Sequence, residues 1–368
     1  MTKRLLMLAV VLAMVAAACG GEVAEETTTT TAADGGGQVA TGGLLAEVQA
    51  RGVLNCGVNN AVPGFGFVDS AGEFSGFDID FCKAIAAAVF GDAGKVEYKP
   101  LTAQQRFTAL QSGEIDVLIR NTTWTATRDG SEGATFLTTT FYDGQGMMVR
   151  SDSGFTEIED MANTTICVLS GTTTELNLSD RFDASGTPFE PLSFDDNDLL
   201  RESFISGQCD GWTSDKSQLA GVRSTFPDSE GGPEALTILE ETFSKEPLGP
   251  LVRDGDTQWA DVVNWVVLAT IQAEEFGITQ GNVGNYSGDD TTIQKFLGQE
   301  ILDSDGNPTT FDPGLGLATD FVVDVISAVG NYGEIYDRNV GPDTPLGLER
   351  GDNAQWRNGG LLYAPPYR

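Results

Sequence analysis

A donor-rich stretch directly follows one of the strands that the sequence predicts. Residues 120–129, RNTTWTATRD, hold four threonines, an asparagine, a tryptophan and two arginines within ten positions. The guanidinium group of Arg128 offers a two-pronged donor to a carboxylate, and Asn121 and Thr123 supply backbone and side-chain groups beside it. The stretch therefore predicts a carboxylate-binding site. The alternative is an exposed arginine that pairs with Asp129.

A second candidate anion site begins at Ser170 with the run SGTTTE. This run places Gly171, Thr172 and Thr173 at the predicted start of a helix, where unpaired backbone N–H groups suit an anion. The alternative is ordinary capping of the helix by a hydroxyl side chain, with Glu175 as the capping-box partner. Capping is compatible with binding, so both interpretations stay open.

A single carboxylate, Asp215, ends a predicted strand in the second half of the chain and suits an ammonium group; its alternative role is a helix N-cap. Donors for a carboxylate and an aspartate for an ammonium group together describe a zwitterion. The chain contains no histidine, which removes most general-base chemistry at neutral pH. No nucleophile elbow, phosphate-binding loop or dinucleotide fingerprint occurs either. The residues therefore favour binding over catalysis, with no cofactor.

Strands and helices alternate along the chain in the way that is typical of βαβ units and a parallel sheet. A helix over 76–91 is indicated by apolar residues at helical spacing, with Gly91 as its stop. The other early elements that the pattern predicts are a helix ending at Gly52, a strand over 53–58, a strand over 95–101, a helix ending at Gly113, a strand over 115–119, and a strand–loop–helix unit over 164–180.

One local pattern occurs twice: a helix end, Ser-Gly, two further residues and an aspartate that enters a strand. It is found around Asp116 (ALQSGEIDVLIRNT) and around Asp210 (SFISGQCDGWTSD). Together with the unit at 164–180, the repetition predicts two similarly built α/β lobes. In open parallel sheets, ligands bind outside the carboxyl ends of the strands, which is where the two donor-rich runs lie.

The segment 285–312 is rich in glycine, aspartate and threonine and predicts loops. Its DSDGN run at 303–307 is similar to a calcium loop. However, Pro308 stands where such loops need glycine, and Gly314 where they need an acid. We therefore interpret the run as a plain turn.

The overall charge excludes two classes of partner. The 368-residue chain has 21 Lys and Arg against 54 Asp and Glu, a net charge of −33. Binding nucleic acid requires clustered basic residues, and an anionic lipid surface repels such a chain. We therefore expect no nucleic-acid partner and no electrostatic docking on lipid.

The N-terminus is typical of an export signal, with two basic residues, a short apolar run and then small residues. Residues 1–18 are predicted to be a signal peptide. The AAAC sequence resembles a bacterial lipobox, which would make Cys19 a lipidated first residue; the alternative is a plain signal peptide cut after Ala18. Residues 19–43 are rich in Gly, Thr and Ala and predict a flexible tether to a membrane surface.

Four further cysteines, Cys56, Cys82, Cys167 and Cys209, form an even set in an exported chain and suggest disulfides. Three pairings are possible. The most local one joins Cys56 to Cys82 and Cys167 to Cys209, and places one bridge in each half. The alternative is four buried free thiols. A metal site is not expected, because histidine is absent and no C-x-x-C spacing occurs.

Several longer stretches resemble one known family. They are GFDIDFCKAIAAAVFGD, RFTALQSGEIDVLIRNTTWTATRD, YDGQGMMVR, SGTTTELNLSD, SKEPLGPLVRDGDTQW, AEEFGIT and VGNYGEIYDRNVG. Together they are similar to the general L-amino-acid-binding proteins of polar amino-acid ABC transporters, in solute-binding protein family 3. The resemblance runs from about Leu44 to Arg368, and PLGLERGDNAQWRNGGLLYAPP matches its longer subgroup. It implies the type II periplasmic-binding-protein fold.

The resemblance also implies roles for single residues. The carboxylate-clamping arginine falls on Arg128, with contacts from Asn121 and Thr123, and the ammonium-binding aspartate falls on Asp215. The N–H contacts of the second lobe fall on Gly171, Thr172 and Thr173, and Ser170 beside them is a further ligand-binding candidate. Members of the family usually sandwich the ligand with aromatic residues after the first strand; here Phe65 and Phe67 are available, with Ala61 or Val62 where many have an aromatic. Ser214 and Asn59 are further candidates near the ligand side chain, and Trp124 is expected in the core or at the rim.

The architecture implied by the resemblance is two lobes, each a mixed, mostly parallel sheet flanked by helices. Lobe 1 would comprise 44–144 plus 246–368, and lobe 2 would comprise 145–245, with hinge crossovers near 142–147 and 243–247. The implied function is capture of a free L-amino acid by hinge closure and its delivery to ABC permease subunits, by a monomer outside the cytoplasmic membrane or in the periplasm. The alternatives are a dehydratase-type enzyme on this fold and a ligand-sensing module for a signalling receptor.

Overall fold

A computed structural model of the chain describes residues 43–368. The predicted signal peptide at 1–18 and the predicted lipidation site at Cys19 lie outside the described residues, as does the predicted tether up to residue 42. Within residues 43–368, no helix combines the length and the apolar composition that crossing a bilayer requires.

Helices and strands alternate through most of the described chain. The helices are α1 (Leu44–Arg51), α2 (Phe77–Phe90), α3 (Arg106–Ser112), α4 (Ala126–Ser131), α5 (Thr173–Ser185), α6 (Asn197–Ile205), α7 (Lys216–Ser224), α8 (Thr257–Phe276), α9 (Thr291–Phe296), α10 (Phe321–Val329) and α11 (Tyr332–Asn339). The strands are β1 (Leu54–Val58), β2 (Ala61–Val62), β3 (Gly66–Val68), β4 (Phe74–Ser75), β5 (Val96–Pro100), β6 (Val117–Leu118), β7 (Ala134–Phe136), β8 (Phe141–Asp143), β9 (Gln145–Arg150), β10 (Thr164–Leu169), β11 (Phe189–Phe194), β12 (Gly211–Asp215), β13 (Leu236–Ile238), β14 (Glu246–Leu248), β15 (Leu251–Arg253), β16 (Glu300–Leu302) and β17 (Pro308–Thr310).

The three glycines predicted to end helices do so. Gly52, Gly91 and Gly113 follow α1, α2 and α3 with φ values of 76°, 67° and 77°. This left-handed conformation suits glycine, which has no Cβ to clash with the preceding turn. The predicted boundaries of these helices are therefore confirmed on their C-terminal side.

Two five-stranded sheets have the same construction. The order is β5-β1-β6-β15-β7 in the first sheet and β11-β10-β12-β9-β13 in the second. In each sheet the first three strands run parallel and the remaining two pairings are antiparallel. The two lobes predicted from the sequence are these two sheets with their flanking helices.

The repeated aspartate pattern has a structural cause. The Asp116 carboxylate accepts the backbone N–H of Asn55 at the start of β1 at 2.7 Å, and the Asp210 carboxylate accepts that of Thr165 in β10 at 2.8 Å. Each aspartate therefore fixes the start of the central strand beside it. The pattern marks equivalent positions in the two lobes, as the sequence predicted.

The chain passes between the two sheets along a short two-stranded ribbon. Strand β8 leads into β9 of the second sheet, and β14 leads back to β15 of the first. The two strands pair antiparallel, with Asp143 opposite Glu246. This ribbon lies at the two crossovers predicted near 142–147 and 243–247. The lobe boundaries at 144/145 and 245/246 stay predictions.

The first lobe is built from both ends of the described chain. Helices α10 and α11 pack with α2 and α8 in one apolar core. Phe77 lies at its centre, with its ring centroid 5.7 Å from that of Phe141 and 5.8 Å from that of Tyr332. The second sheet carries smaller apolar cores, around Trp212 and around Phe182.

The prediction of loops over 285–312 is wrong in part. The segment contains α9 and a hairpin of β16 and β17, paired from Glu300 with Thr310 to Leu302 with Pro308. Short elements with few apolar residues give no periodic signal, which is why the composition suggested loops. The DSDGN run is the hairpin turn, in which the side chain of Asp303 accepts the N–H groups of Asp305 and Asn307.

Both disulfides have the most local of the three possible pairings. Cys56 of β1 is bonded to Cys82 of α2, with Cα atoms 6.2 Å apart. Cys167 of β10 is bonded to Cys209, with Cα atoms 5.6 Å apart. Each lobe therefore holds one bridge that ties its central strand to a neighbouring segment.

Replacing both Cys167 and Cys209 by alanine should lower the free energy of unfolding by about 2–4 kcal/mol, because a cross-link across 42 residues restricts the unfolded chain. Urea unfolding with and without a reductant measures the effect. Reductant should destabilise the double variant less than the wild type, since one bridge is already gone. Equal unfolding midpoints for the two proteins under oxidising conditions would contradict the prediction.

Candidate functional site

A narrow cavity lies between the two lobes at the carboxyl ends of their central strands. Six of the nine residues predicted to bind a ligand line it: Asn121, Thr123, Arg128, Thr172, Thr173 and Asp215. The first three follow β6, the next two begin α5 after β10, and Asp215 ends β12. The sheet topology therefore brings together the side chains that the zwitterion hypothesis requires.

Arg128 is buried at the start of α4 and not paired with Asp129. Its backbone N–H donates to the N-cap hydroxyl of Thr125 at 3.2 Å, and its Nη1 donates to the carbonyl of Thr123 at 3.0 Å. The guanidinium carbon lies 5.6 Å from the ring centroid of Phe107. Burial lowers the pKa of Arg128. Among the neighbouring carboxylates, Glu246 does most to offset this lowering. The alternative of an exposed surface arginine is wrong.

Asn121 has an unusual backbone and two unpaired polar atoms. Its φ is +40°, and its backbone N–H donates to the carboxylate of Asp78 at 2.9 Å. The side-chain Oδ1 and Nδ2 are buried without a hydrogen-bond partner. Unpaired buried groups are costly, so they mark a position where polar atoms are available to something in the cavity.

Helix α5 directs its N-terminus at the cavity. Thr172 is the N-cap, and its hydroxyl accepts the N–H of Glu175 at 3.1 Å. Capping is therefore present, as the alternative interpretation predicted. Thr173 at the first helical position also lines the cavity, so capping and a cavity-facing helix end coexist. The partial positive charge of a helix N-terminus favours an anion at this place.

Asp215 occupies the N-cap position of α7 but its side chain makes no capping hydrogen bond. The carboxylate is 6% exposed and lines the cavity. Burial raises its pKa well above the usual value, and the neighbouring Asp143 and Glu246 raise it further. A cation beside Asp215 would relieve both effects, which is the behaviour expected of an ammonium receptor.

Three predicted binding residues lie elsewhere. Phe65 is fully buried in the core of lobe 1, with its ring centroid 5.0 Å from that of Phe141, so it cannot sandwich a ligand. Ser170 accepts a hydrogen bond from Gln104 at 3.0 Å outside the cavity. The N–H of Gly171 donates to the carboxylate of Glu175 at 3.0 Å and is not available to a ligand. These residues are not part of the cavity lining.

The remaining sequence candidates divide between the cavity and its surroundings. Ser214 lines the cavity beside Asp215. Asn59 lines a neighbouring space of about 150 Å³, which borders the cavity at Arg120. Trp124 is 42% exposed and stacks on Phe136, which places it at the rim as expected.

The sequence prediction did not include Arg106 or Arg120 among the binding residues, although both line the cavity. Burial lowers the pKa of Arg120 to about 10, and its Nε donates to the carbonyl of Leu101 at 2.6 Å. A signal for Arg106 was present: it shares the buried face of α3 with Ala109 and Leu110. An arginine on the apolar face of a helix indicates a buried polar role.

Glu246 of the β14 strand was also missed and links the two lobes. Its carboxylate accepts hydrogen bonds from the hydroxyl of Thr123 at 2.6 Å, the hydroxyl of Thr173 at 2.8 Å and the side-chain amide of Asn177 at 2.9 Å. It also accepts the hydroxyl of Ser244. One buried carboxylate thus organises the donor-rich loop of lobe 1, the start of α5 in lobe 2 and the crossover between them. Its sequence context offered no periodic signal.

The lobes also touch outside the cavity. Gln104 donates to both Ser170 and Asp195 at 3.0 Å. At Gly221 of α7, an added Cβ would lie 2.4 Å from the carbonyl oxygen of Pro63, so only glycine allows this close approach. The structure is therefore one in which the lobes are closed over the cavity.

These features define a class: a two-lobed binding protein whose cavity is lined by both lobes, which two strands connect. The family model for bacterial extracellular solute-binding proteins, family 3, matches residues 54–279. The chain belongs to this family, as its motifs predicted, and acts outside the cytoplasm.

Several known proteins are similar over most of the chain. The general L-amino acid-binding periplasmic protein AapJ of Rhizobium johnstonii is 48% identical, over 88% of this chain and 92% of its own. The glutamate/glutamine/aspartate/asparagine-binding protein BztA of Rhodobacter capsulatus is 45% identical, over 89% and 94%. A periplasmic binding protein from Brucella ovis, solved with glutathione bound, is 47% identical, with a TM-score of 0.83 over 89% and 100%. The type II periplasmic-binding-protein fold is confirmed.

Replacing Glu246 by alanine should lower the free energy of unfolding by about 3 kcal/mol, because four donors lose a buried charged acceptor. Ser244→Ala is the matched control, since it removes one of these donors and should cost about 1 kcal/mol. Urea unfolding of the two variants beside the wild type measures both. A loss for Glu246→Ala no larger than that for Ser244→Ala would contradict the role of Glu246.

Asp143 should make stability depend on pH. Burial raises its pKa from 3.8 to about 6, although Ser217 and Gly144 donate to it. A raised pKa means that its contribution to stability is present below about pH 4 and is lost as the pH rises through 6. Between pH 4 and pH 8 the wild type should therefore lose about 2 kcal/mol more than Asp143→Asn from this group. The substitution also lowers the pKa of Asp215, which acts in the same direction. The free energies of unfolding of both proteins at the two pH values test this. Asp78 is also buried with a pKa of about 6, but it is present in both proteins and its effect cancels in the comparison. The same change in unfolding free energy with pH in the wild type and in Asp143→Asn would refute the role of Asp143.

Proposed function

We propose that the protein captures L-amino acids outside the cytoplasm by closing its two lobes, and delivers them to the membrane permease of an ABC importer. The observation that carries the proposal is that Arg128, the N-terminus of α5 and Asp215 line one cavity. A carboxylate and an ammonium group on one carbon atom match this arrangement of charges.

In this proposal the two lobes share the ligand. Arg128 and the polar atoms of Asn121 and Thr123 come from lobe 1, whereas the α5 N-terminus and Asp215 come from lobe 2. An amino acid between them stabilises the closed form because it contacts both sets only when the lobes meet. The β8–β14 ribbon is the natural hinge, since it is the connection between the two sheets.

The relatives support a ligand with an amino-acid head group. Two of them are described as binding amino acids, and the third holds glutathione. Glutathione is a γ-linked peptide that keeps a free amino-acid zwitterion at one end. The same charge clamp therefore suits both kinds of ligand, and neighbouring spaces of about 150 and 110 Å³ could receive a longer side chain.

The proposal also includes the export signal, the lipid anchor, the tether, the lobe boundaries and the monomeric state that the sequence suggested. Residues 1–18 direct export, lipid on Cys19 anchors the chain, and residues 19–43 act as a tether. Lobe 1 comprises 44–144 plus 246–368, lobe 2 comprises 145–245, and the protein acts as a monomer. Mass spectrometry of the mature N-terminus tests the anchor, because a diacylglyceryl group on Cys19 adds a defined mass.

Replacing Arg128 by alanine should weaken binding of amino acids by at least about 100-fold, because a charge-assisted pair with the ligand carboxylate is lost in a buried site. Calorimetry first measures the affinity of the wild type for each of the twenty amino acids and for glutathione. Arg253→Ala is the control, since Arg253 is exposed on β15 away from the cavity. Equal affinities for Arg128→Ala and the wild type would overturn the site assignment.

A further inference from the structure

A glycine lies in the interior of α7, where no feature of the helix itself requires one. Gly221 is buried between the ends of this helix at Lys216 and Ser224. Its φ lies outside the left-handed region, so alanine can adopt the same backbone conformation. Glycine is also the poorest helix former after proline, because it loses the most backbone freedom on folding. The reason for glycine at this position therefore lies outside α7.

That reason is a backbone carbonyl group of the other lobe. A Cβ added at Gly221 would lie 2.4 Å from the carbonyl oxygen of Pro63 and 3.4 Å from its carbonyl carbon, and real Cβ atoms essentially never approach another atom below 3.0 Å. Pro63 stands between β2 and β3 of lobe 1, whereas α7 belongs to lobe 2. A side chain at position 221 is therefore compatible with α7 but not with the closed arrangement of the lobes.

The turn that carries Pro63 has no room to retreat. The carbonyl of the next residue, Gly64, accepts the N–H of Phe77 at the start of α2 at 2.9 Å. Gly64 is also packed so closely that an added Cβ there would lie 2.5 Å from the side chain of Leu346. Hydrogen bonding and packing thus hold this turn against the body of lobe 1.

Helix α7 is held equally firmly in lobe 2. The N–H of Lys216 donates to the carbonyl of Gly144 in the crossover at 2.9 Å. Further along the helix, Leu219 and Val222 are buried in the apolar core around Trp212. Helix α7 is therefore fixed to the hinge at its start and to its own sheet along its length, and it moves as a part of lobe 2.

The contact between Gly221 and Pro63 lies beside the ligand cavity. Gln218, one helical turn before Gly221, lines both the cavity and a neighbouring space of about 110 Å³ that Pro63 also lines. Asp215 directly precedes α7, about 9 Å along the helix axis from Gly221. Because the helix is rigid over this distance, the contact with Pro63 determines where Asp215 stops relative to lobe 1.

We propose that the contact of Gly221 with the Pro63 carbonyl is the stop that sets how far the lobes close, and that Gly221 is thereby a positioning residue for ligand capture. This inference rests on the proposed function, since it concerns the closure that brings Asp215 to the ligand. The absence of a side chain at position 221 matters only when the lobes meet. A methyl group there would hold the cleft partly open without entering the cavity.

The variant Gly221→Ala tests the proposal, with Gly284→Ala as a matched control. At Gly284 an added Cβ meets nothing within 4 Å, and φ again lies outside the left-handed region. In calorimetry with the twenty amino acids and glutathione, Gly221→Ala should bind each ligand of the wild type about 10- to 100-fold more weakly, because hydrogen bonds across the cavity lengthen. Gly284→Ala should keep the wild-type affinities. The urea midpoint of ligand-free Gly221→Ala should equal or exceed that of the wild type, since alanine favours the helix.

Stopped-flow fluorescence separates a closure stop from damage to lobe 2. The stop acts after the ligand has met the open form, so the dissociation rate constant of Gly221→Ala should rise about 10- to 100-fold while the association rate constant changes by less than about threefold. Unchanged affinity in Gly221→Ala would overturn the inference. A weaker affinity that arises from slower association, or that accompanies a lowered urea midpoint, would overturn it as well. A wild type that binds none of these ligands would contradict the proposed function and the inference with it.

Discussion

Buried charge is the constraint on which this structure depends. Three guanidinium groups lie in the cleft between the lobes, and charges removed from water are tolerated only where other charges or hydrogen bonds compensate them. Glu246 provides much of that compensation, since it acts on Arg128 and accepts hydrogen bonds from both lobes. Because it stands on a crossover strand, electrostatic compensation and hinge geometry are linked in one residue.

The repeated construction of the two lobes explains why so much of the fold was predictable. Helix stops such as Gly52 and Gly91 have local causes, because a left-handed backbone at a helix end depends on one residue. The aspartates at 116 and 210 also act locally, on the strand beside them. In contrast, the hairpin of β16 and β17 depends on pairing between short polar strands, and such pairing leaves no periodic pattern in the sequence.

The site was predictable where residue type alone implies chemistry. Arg128 and Asp215 were expected from their charge and their position after strands, and both line the cavity. Phe65 was misplaced because side-chain direction after β1 depends on how β2 and β3 fold back, which the sequence pattern does not specify. Glu246 was missed because its four donors are distant in the sequence or lie in an irregular crossover. Sites assembled from several segments require the tertiary structure.

The lobes are held together inside the cleft by the hydrogen bonds of Glu246 to Thr123, Thr173 and Asn177, and their polar contacts outside the cleft are weaker. The cross-lobe bonds of Gln104 lie at an exposed position, where a hydrogen bond contributes about 1 kcal/mol or less. Inside the cleft, Arg106 and Arg128 of lobe 1 lie near the carboxylate of Asp215, and Asp215 also lies near the like charges of Asp143 and Glu246. A ligand changes this balance in one direction, because its charges lie between groups that otherwise repel. The hydrogen bonds of Glu246 favour closure without a ligand, and a ligand shifts the equilibrium further only by the contacts it makes in the closed form.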